Sequence, residues 1–599
     1  MLKRRGRLTA LAGSLVAALV LVLAGCGSQT ATTTPSNLPS QVTLVGGIQT
    51  EPNWWFAFTS LSTCSTSNFG IGLMYRPLLY ISAQDTVDYA RSIASSVSVS
   101  NNDTTFTVHL KPSWHWSNGQ PITSADVLYA WDILDATSQS TAVWENCGVG
   151  IGGLPAKWKS VTAPNPETVV IQTTVPVNPV WFEINGIAQL APIPKAVWDH
   201  TSNMKAELTW IEANANKPLS PLFKVTDGPY QITKFVNNEY WEFTANPNYS
   251  GHKAQIKKLI FDYETGDPGV FLGLRKGTLD QANLPPEYAV DRSQLKGYRI
   301  VNAGYAFGIN YMQLNMSAAA PNGIGSVFSH LYVREALQMG IDQNAIVQKL
   351  YDGYAHTEYG PVPPEPPNAF YDPAVKKWPY NPKAGLKLLE AHGWKMVNGV
   401  LMKNGKPFTF QLLFMSGTIT DNNIVQLLKN DWAQEGIQVT LKSEPFNQVI
   451  AATPSQYQAE WWGAGWYYGP DFYPTGGTLY KCGGGFTPPG YCNAHMDQLI
   501  NATYGPGTPA QEQQRLDAYQ IYVSQQLPVL WLPEYIGVGT PSAFQAVKPW
   551  LHGVVKWYNP IEGGASYNRW TISNEDQMPR PRTFGSVRGL SVPDGRHPG

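Results

Sequence analysis

The chain has 599 residues, 43% of them hydrophobic and 14% charged, which is enough for several domains with large cores. Its 42 basic and 43 acidic side chains leave a formal charge of -1, and without Lys3, Arg4, Arg5 and Arg7 the balance becomes 38 to 43. That balance excludes the basic footprint of a nucleic-acid-binding protein, and no apolar run beyond Cys26 is long enough to span a bilayer.

Read in chain order, Lys3, Arg4, Arg5 and Arg7 make a basic start and Leu8 to Val22 a mostly apolar run. Leu23-Ala24-Gly25 is then a small-residue cleavage site ending at Cys26. This is the anatomy of a secretory signal peptide, and its cysteine resembles that of a bacterial lipobox, whose thiol is diacylated. Residues 1-25 are expected to be a lipoprotein signal peptide, with Cys26 lipidated and the mature chain extracytoplasmic, lipid-anchored to the bacterial cell membrane. The alternative, an uncleaved anchor, would be at the short end for a membrane span. Residues 26-41, rich in Ser, Thr and Pro, read as a tether.

Val42 to Val45 reads as the first strand. Thr105 to Leu110 alternates as a strand, Asn118-Gly119 is a turn, and Ser124 is expected to cap a helix with Val127, Trp131 and Leu134 on one face. Thr168 to Thr173 is a strand, and Ile232 to Thr244 a hairpin turning at Asn237-Asn238. Asn381-Pro382 starts a helix that stops at Gly393. Ile424 to Gln434 is a helix ended by Gly436 and followed by strand Ile437 to Leu441. Thr508-Pro509 starts another, with Leu516, Tyr519 and Val523 on one stripe, and Pro528 ends it before strand Val529 to Leu532. Residues 574-599 carry few apolar groups and read as a disordered tail.

Five cysteines are present. With Cys26 carrying lipid, the even remainder outside the cell implies two disulfides, for which three pairings exist. Cys482 and Cys492 bracket the flexible Gly483-Gly484-Gly485 and Pro488-Pro489-Gly490 stretches, so they are expected to pair, leaving Cys64 and Cys147 by elimination. No nucleotide-binding P-loop, HExxH, GxSxG or C-x-x-C pattern occurs. His109 and His115 suit no common zinc spacing, and no carboxylate pair stands out for acid-base work. No catalytic residue, metal or cofactor is expected.

Several segments carry a resemblance: Leu73-Met74-Tyr75-Arg76-Pro77-Leu78-Leu79; Phe106 to Val127; Asp227-Gly228-Pro229-Tyr230 with Ala245-Asn246-Pro247-Asn248-Tyr249; Val333-Arg334-Glu335-Ala336-Leu337 with Ile341-Asp342; and Gly490-Tyr491-Cys492-Asn493 with Asp497 and Leu499-Ile500. In this order they resemble the extracytoplasmic solute-binding proteins of peptide/nickel-type ABC transporters, the oligopeptide- and dipeptide-binding family. The resemblance implies an α/β, two-lobed periplasmic-binding-protein-like fold of the large peptide-binding type, with an inserted subdomain in lobe I. Lobe I would comprise 42-74, 221-305 and 540-573, the inserted subdomain 75-220 and lobe II 306-539. The motifs themselves suit scaffold roles: Asn118-Gly119 a tight turn, Gly228-Pro229 a sharp bend, Asp342 a helix cap.

The resemblance also implies a solute-binding lipoprotein, not an enzyme. It would capture a peptide or peptide-like solute between its lobes and hand it to ABC permease subunits, acting as a monomer without nucleic acid. Trp466-Tyr467-Tyr468-Gly469-Pro470-Asp471 aligns with the segment that in peptide-binding members carries a Trp and an Asp for the peptide's ammonium group. Trp466 matches the Trp. Asp471 either substitutes for the Asp or matches a later portion and sits outside the cleft; the alignment favours the second. Glu51, Trp54 and Trp55, in what looks like the first cleft loop, join Trp462, Trp466, Tyr467, Tyr468 and Asp471 as ligand-binding candidates, each aromatic having plain packing as its alternative. Aromatic richness and export also fit a secreted carbohydrate-active enzyme, and a surface sensor or pheromone receptor would share the fold.

Overall fold

A computed structural model describes residues 39–48, 51–63, 70–463, 465–534, 544–561 and 564–573. The signal peptide, Cys26, most of the tether, Cys64 and the 574-599 tail lie outside the described residues. The first strand, Gln41–Ile48, begins one residue inside the expected tether.

Three sheets organise the chain. The first has seven strands in the order Arg299–Asn302, Phe544–Val547, Gln281–Asn283, Gln41–Ile48, Lys258–Glu264, Tyr240–Ala245 and Tyr230–Val236. Gln41–Ile48 runs parallel to Lys258–Glu264, with Val42 opposite Leu259 and Leu44 opposite Phe261; all four side chains are buried. The Tyr230–Val236 hairpin turns at Asn238, whose φ of 57° is one that Asn tolerates. At the preceding bend a Cβ on Gly228 would stand 2.3 Å from the Leu73 carbonyl oxygen, so only glycine lets the two backbones touch.

The second sheet has six strands. Gln438–Glu444, Thr409–Met415, Ala459–Trp461, Gly308–Leu314 and Trp466–Tyr467 follow in order, and Leu530–Leu532 also pairs with Gly308–Leu314. Every residue of Gly308–Leu314 is buried, as a central strand covered on both faces requires. A third, four-stranded antiparallel sheet orders Ala94–Ser100, Thr105–Leu110, Thr168–Thr173 and Trp158–Asn165. Helix Ser124–Thr137 lies on it, Trp131 stacking on Trp158 with centroids 4.7 Å apart. The α/β, two-lobed class is therefore realised around the first two sheets.

Helix starts depart from expectation in instructive ways. Thr123, not Ser124, caps its helix: the Asp126 carboxylate accepts from the Thr123 N–H at 2.9 Å, leaving the Ser124 hydroxyl to donate to Asn165 O at 2.8 Å. Asn381 and Asp342 do cap as expected, accepting from Ala384 N and Ala345 N at 3.0 and 2.9 Å. The helix expected from Ile424 starts earlier, as Ile419–Ala433, because the Thr418 hydroxyl accepts from Asp421 N at 3.2 Å and opens it one turn sooner. Cys482 and Cys492 form a disulfide, their Cα atoms 4.6 Å apart; Cys147 is also disulfide-bonded.

Candidate functional site

The segment after strand Ala459–Trp461 returns to the same sheet at once. Trp466 lies opposite Ile309 and Tyr467 opposite Gly308. The approach is so close that a Cβ on Gly465 would stand 1.8 Å from the Ile309 carbonyl oxygen. This pins Trp466 beside the turn carrying Asp471. The indole Nε1 of Trp466 donates to the Asp471 carboxylate, 3.2 Å from Oδ1 and 3.1 Å from Oδ2.

Asp471 is only 4% exposed. Burial pushes its carboxyl up to about 7, restrained by the Trp466 donor and nearby backbone N–H groups. Tyr311, Tyr468, Tyr504 and Tyr519 all lie within its electrostatic reach. Two more carboxyls are buried: Glu460, pushed by burial to about 8, and Glu358, raised by burial and then by Glu534. None of the three forms an ion pair among the described residues, where the five salt bridges lie elsewhere. The hydroxyls of Tyr480 and Tyr519 and Oε2 of Glu358 are buried without a hydrogen-bond partner. The region is thus rich in buried acceptors and poor in cations, an environment complementary to a positively charged or donor-rich group.

The other candidates divide. Trp462 is half-buried, donates to Gly465 O at 3.3 Å and meets the Tyr311 ring edge-on at 5.8 Å. Tyr467 is half-buried beside Gly308. Tyr468 is buried, its hydroxyl donating to Pro361 O. These join Trp466 and Asp471. Trp54 and Trp55 instead are committed to packing. Trp54 donates to Phe58 O at 2.7 Å and meets Trp144 edge-on at 5.2 Å; Trp55, 1% exposed, packs against Phe235 and Phe243. Glu51 accepts from Asn238 N at 2.8 Å, bracing the hairpin turn.

Sequence reasoning missed the contacts that close over this region. Asn185 donates through Nδ2 to Tyr473 O at 2.8 Å and accepts at Oδ1 from Tyr473 N at 2.7 Å. Trp181 stacks on Tyr504 at 4.5 Å, and Asn178 N donates to Tyr504 O at 2.8 Å. A second bridge lies further off. The Thr420 hydroxyl donates to Glu287 Oε2 at 2.9 Å, next to buried Asp267 and Asp421. A buried asparagine in Trp181-Phe182-Glu183-Ile184-Asn185-Gly186 is the one signal that marked the first bridge.

Residues 88–486 match the bacterial extracellular solute-binding proteins, family 5 (middle). The chain belongs to this family of solute-binding proteins. It is 25% identical over 439 residues to Protein XP55 of Streptomyces lividans, covering 72% of this chain and 73% of that one. It is also 25% identical over 368 residues to a Brucella ovis protein named for ABC-transporter peptide binding, but spans 61% of that protein's length and 60% of its own. In fold it is similar to AppA of Bacillus subtilis in complex with a nonapeptide (TM-score 0.72, 18% identity, 89% of this chain and 99% of that one). It is similar also to NikZ of Campylobacter jejuni in complex with Ni(L-His) (TM-score 0.69, 17% identity, 89% and 99%).

Proposed function

We propose that this protein is the substrate-binding component of an ABC importer, capturing a peptide or peptide-like solute between two lobes and delivering it to a membrane permease. The observation that carries the reading is Asp471: a buried carboxylate, held by Trp466, with no cation beside it among the described residues. A solute ammonium group would supply the missing counter-charge, and Trp462, Trp466, Tyr467 and Tyr468 would wall the adjoining chain. Trp54, Trp55 and Glu51 would support the neighbouring scaffold. The lobes are assigned as 42-74, 221-305 and 540-573 with the inserted subdomain 75-220, and 306-539, and the protein is taken to act as a monomer. Family membership lends no support to a carbohydrate-active enzyme.

Mass spectrometry of solute released from denatured protein, backed by thermal-shift screening of peptides, tests this. A peptide at 100 times its dissociation constant adds about 2.7 kcal/mol of stability. Release of sugars alone, with no peptide raising the melting temperature, overturns it. Lipid anchoring at Cys26 is part of the same proposal. Cys26→Ala is expected to abolish acylation and membrane fractionation, and membrane association that survives with normal processing refutes it.

A further inference from the structure

Away from the Asp471 region, a cavity of ≈ 60 Å³ opens where residues 76–114, 249–252 and 566–569 meet. It is lined by the guanidinium-bearing side chains Arg76, Arg91 and Arg569, with His252, Ser566 and Asn568 at its rim. Only eight arginines occur between residues 39 and 573, and three of them converge here. Two aromatic rings set them out. The Tyr80 ring is shared by Arg76 and Arg91, 5.0 and 4.7 Å from its centroid, and the Trp557 ring by Arg91 and Arg569, at 5.7 and 4.6 Å.

Four other described arginines show what a structural role looks like. Arg334 donates to four backbone carbonyls, and Arg515, Arg292 and Arg299 each donate to carbonyls of their neighbourhood. Arg569 is different: among the described residues its guanidinium forms no ion pair and donates no hydrogen bond, although the side chain is half-buried. Arg91 has only Asp88, at 3.9 Å. The two cations oppose each other, since burial and then the Arg91 charge pull Arg569 below its ordinary value. The N–H edges of Arg91 and Arg569, stacked on Trp557, match the oxygens of a phosphate or carboxylate two at a time. At about 10 to 15 Å³ per water position, the cavity has room for the few heavy atoms of a small oxyanion.

We propose that this arginine-lined pocket is a second ligand site, separate from the solute cleft, which binds a phosphate-type oxyanion, either free or as a lipid headgroup. Arg91 and Arg569 grip the anion, and Arg76, Ser566 and Asn568 complete its surroundings.

Calorimetric titration of the full chain carrying Cys26→Ala, with inorganic phosphate at low ionic strength, is expected to show one saturable site. Arg91→Gln with Arg569→Gln, which keep stems over Tyr80 and Trp557, should weaken it at least tenfold. Flotation with phosphatidylcholine vesicles with and without phosphatidate separates the sources: arginine-dependent flotation on phosphatidate assigns the headgroup, and free phosphate binding without flotation assigns the ion. A measurement needing no variant reads the same site. Phosphate should protect Arg91 and Arg569, but not Arg275, from phenylglyoxal, as mapped on peptides. Absence of saturable binding to either probe, binding unchanged by both substitutions, or equal modification with and without phosphate overturns the proposal.

Discussion

The side-chain amide of Asn185 and the backbone of Tyr473, 288 residues apart in sequence, hold each other by two reciprocal hydrogen bonds of 2.8 and 2.7 Å. An amide that pairs with both backbone groups of one residue in this way works like one rung of a sheet ladder, and Tyr473 is two residues from Asp471. The clasp therefore joins the segment around Trp181 to the proposed solute-binding segment.

Asn185→Ala removes both bonds and leaves the Tyr473 N–H without its acceptor, while Tyr473 O keeps the Thr475 N–H at 2.9 Å. A loss of about 1 to 3 kcal/mol follows, which, if the clasp forms with solute binding, reads as affinity weakened by roughly fivefold or more. Small-angle scattering should show the solute-bound variant more open than the parent. Unchanged affinity and unchanged scattering would mean that the clasp is incidental to closure.

Asp471→Asn keeps the shape and one acceptor for Trp466 but removes the charge. If Asp471 faces a solute ammonium, affinity for free-amine peptides drops by about 2 kcal/mol or more, the cost of breaking a buried charge pair. N-acetylated peptides should be little affected. The solute-free protein should become more stable at pH 8, because a buried carboxylate without a cation is removed. Isothermal titration with the paired peptides, together with melting curves, distinguishes this from general damage, which would lower both.

Stability is expected to fall as pH rises from about 5 to 8. Burial raises Asp227, Asp267 and Glu460 to about 8 and Asp421 and Asp471 to about 7, against unfolded values near 4. Between those limits the folded state holds more protons than the unfolded one, so the slope of unfolding free energy with pH is negative. The protonation advantage is complete below the unfolded values and is gone once pH passes the folded ones. A melting temperature higher at pH 5.5 than at pH 8, by on the order of 5 °C, is the expected reading; the reverse order contradicts the burial argument.

Within that set, Asp267 is raised first by burial, then by Glu287 and Asp421. Asp267→Asn should raise stability at pH 8 by on the order of 1 kcal/mol and flatten the pH slope, with little change at pH 5.5. Urea melts at both values measure it. No gain at pH 8 would show that the three carboxyls do not strain one another.

Elements with a local cause were legible from sequence. Alternation around Phe106 and Val108 located Thr105–Leu110 to the residue, and the Asn381-Pro382 pair located its helix start. Thr123 was overlooked because Ser124 is an equally good cap by type; the choice depended on Asp126 and on Asn165, which comes from another strand. The proposed site is a different case. Trp466 and Asp471 lie five residues apart and were found together, whereas Tyr311, Tyr504, Tyr519 and Asn185 reach them only through sheet pairing and closure, and no periodicity encodes that. Trp54 and Trp55 stand in a loop by sequence, and their ring contacts with Trp144, Phe235 and Phe243 come from segments that no local pattern links to them.

Cys482→Ser with Cys492→Ser opens the loop containing Gly483-Gly484-Gly485. The cross-link closes a separation of ten residues, so its removal should cost about 2 to 3 kcal/mol. Reduction of the parent protein should cost at least as much, since the Cys147 bridge opens with it, and both losses are visible in denaturant melts. An unchanged melt in both would place the loop outside the cooperative unit.

The strands Gln281–Asn283 and Arg299–Asn302 are never paired to each other, since Phe544–Val547 lies between them and hydrogen-bonds to both. A ribosome or an export channel delivers that middle strand only after the whole of the second sheet has emerged. Until then the earlier part of the chain presents two unpaired strand edges, the kind of edge that recruits wrong partners. The second sheet, whose strands all lie between Gly308 and Leu532, can be completed first. Assembly thus has a built-in order, second sheet before first, and a strand that follows all of the second sheet is the one that joins Gln281–Asn283 to Arg299–Asn302.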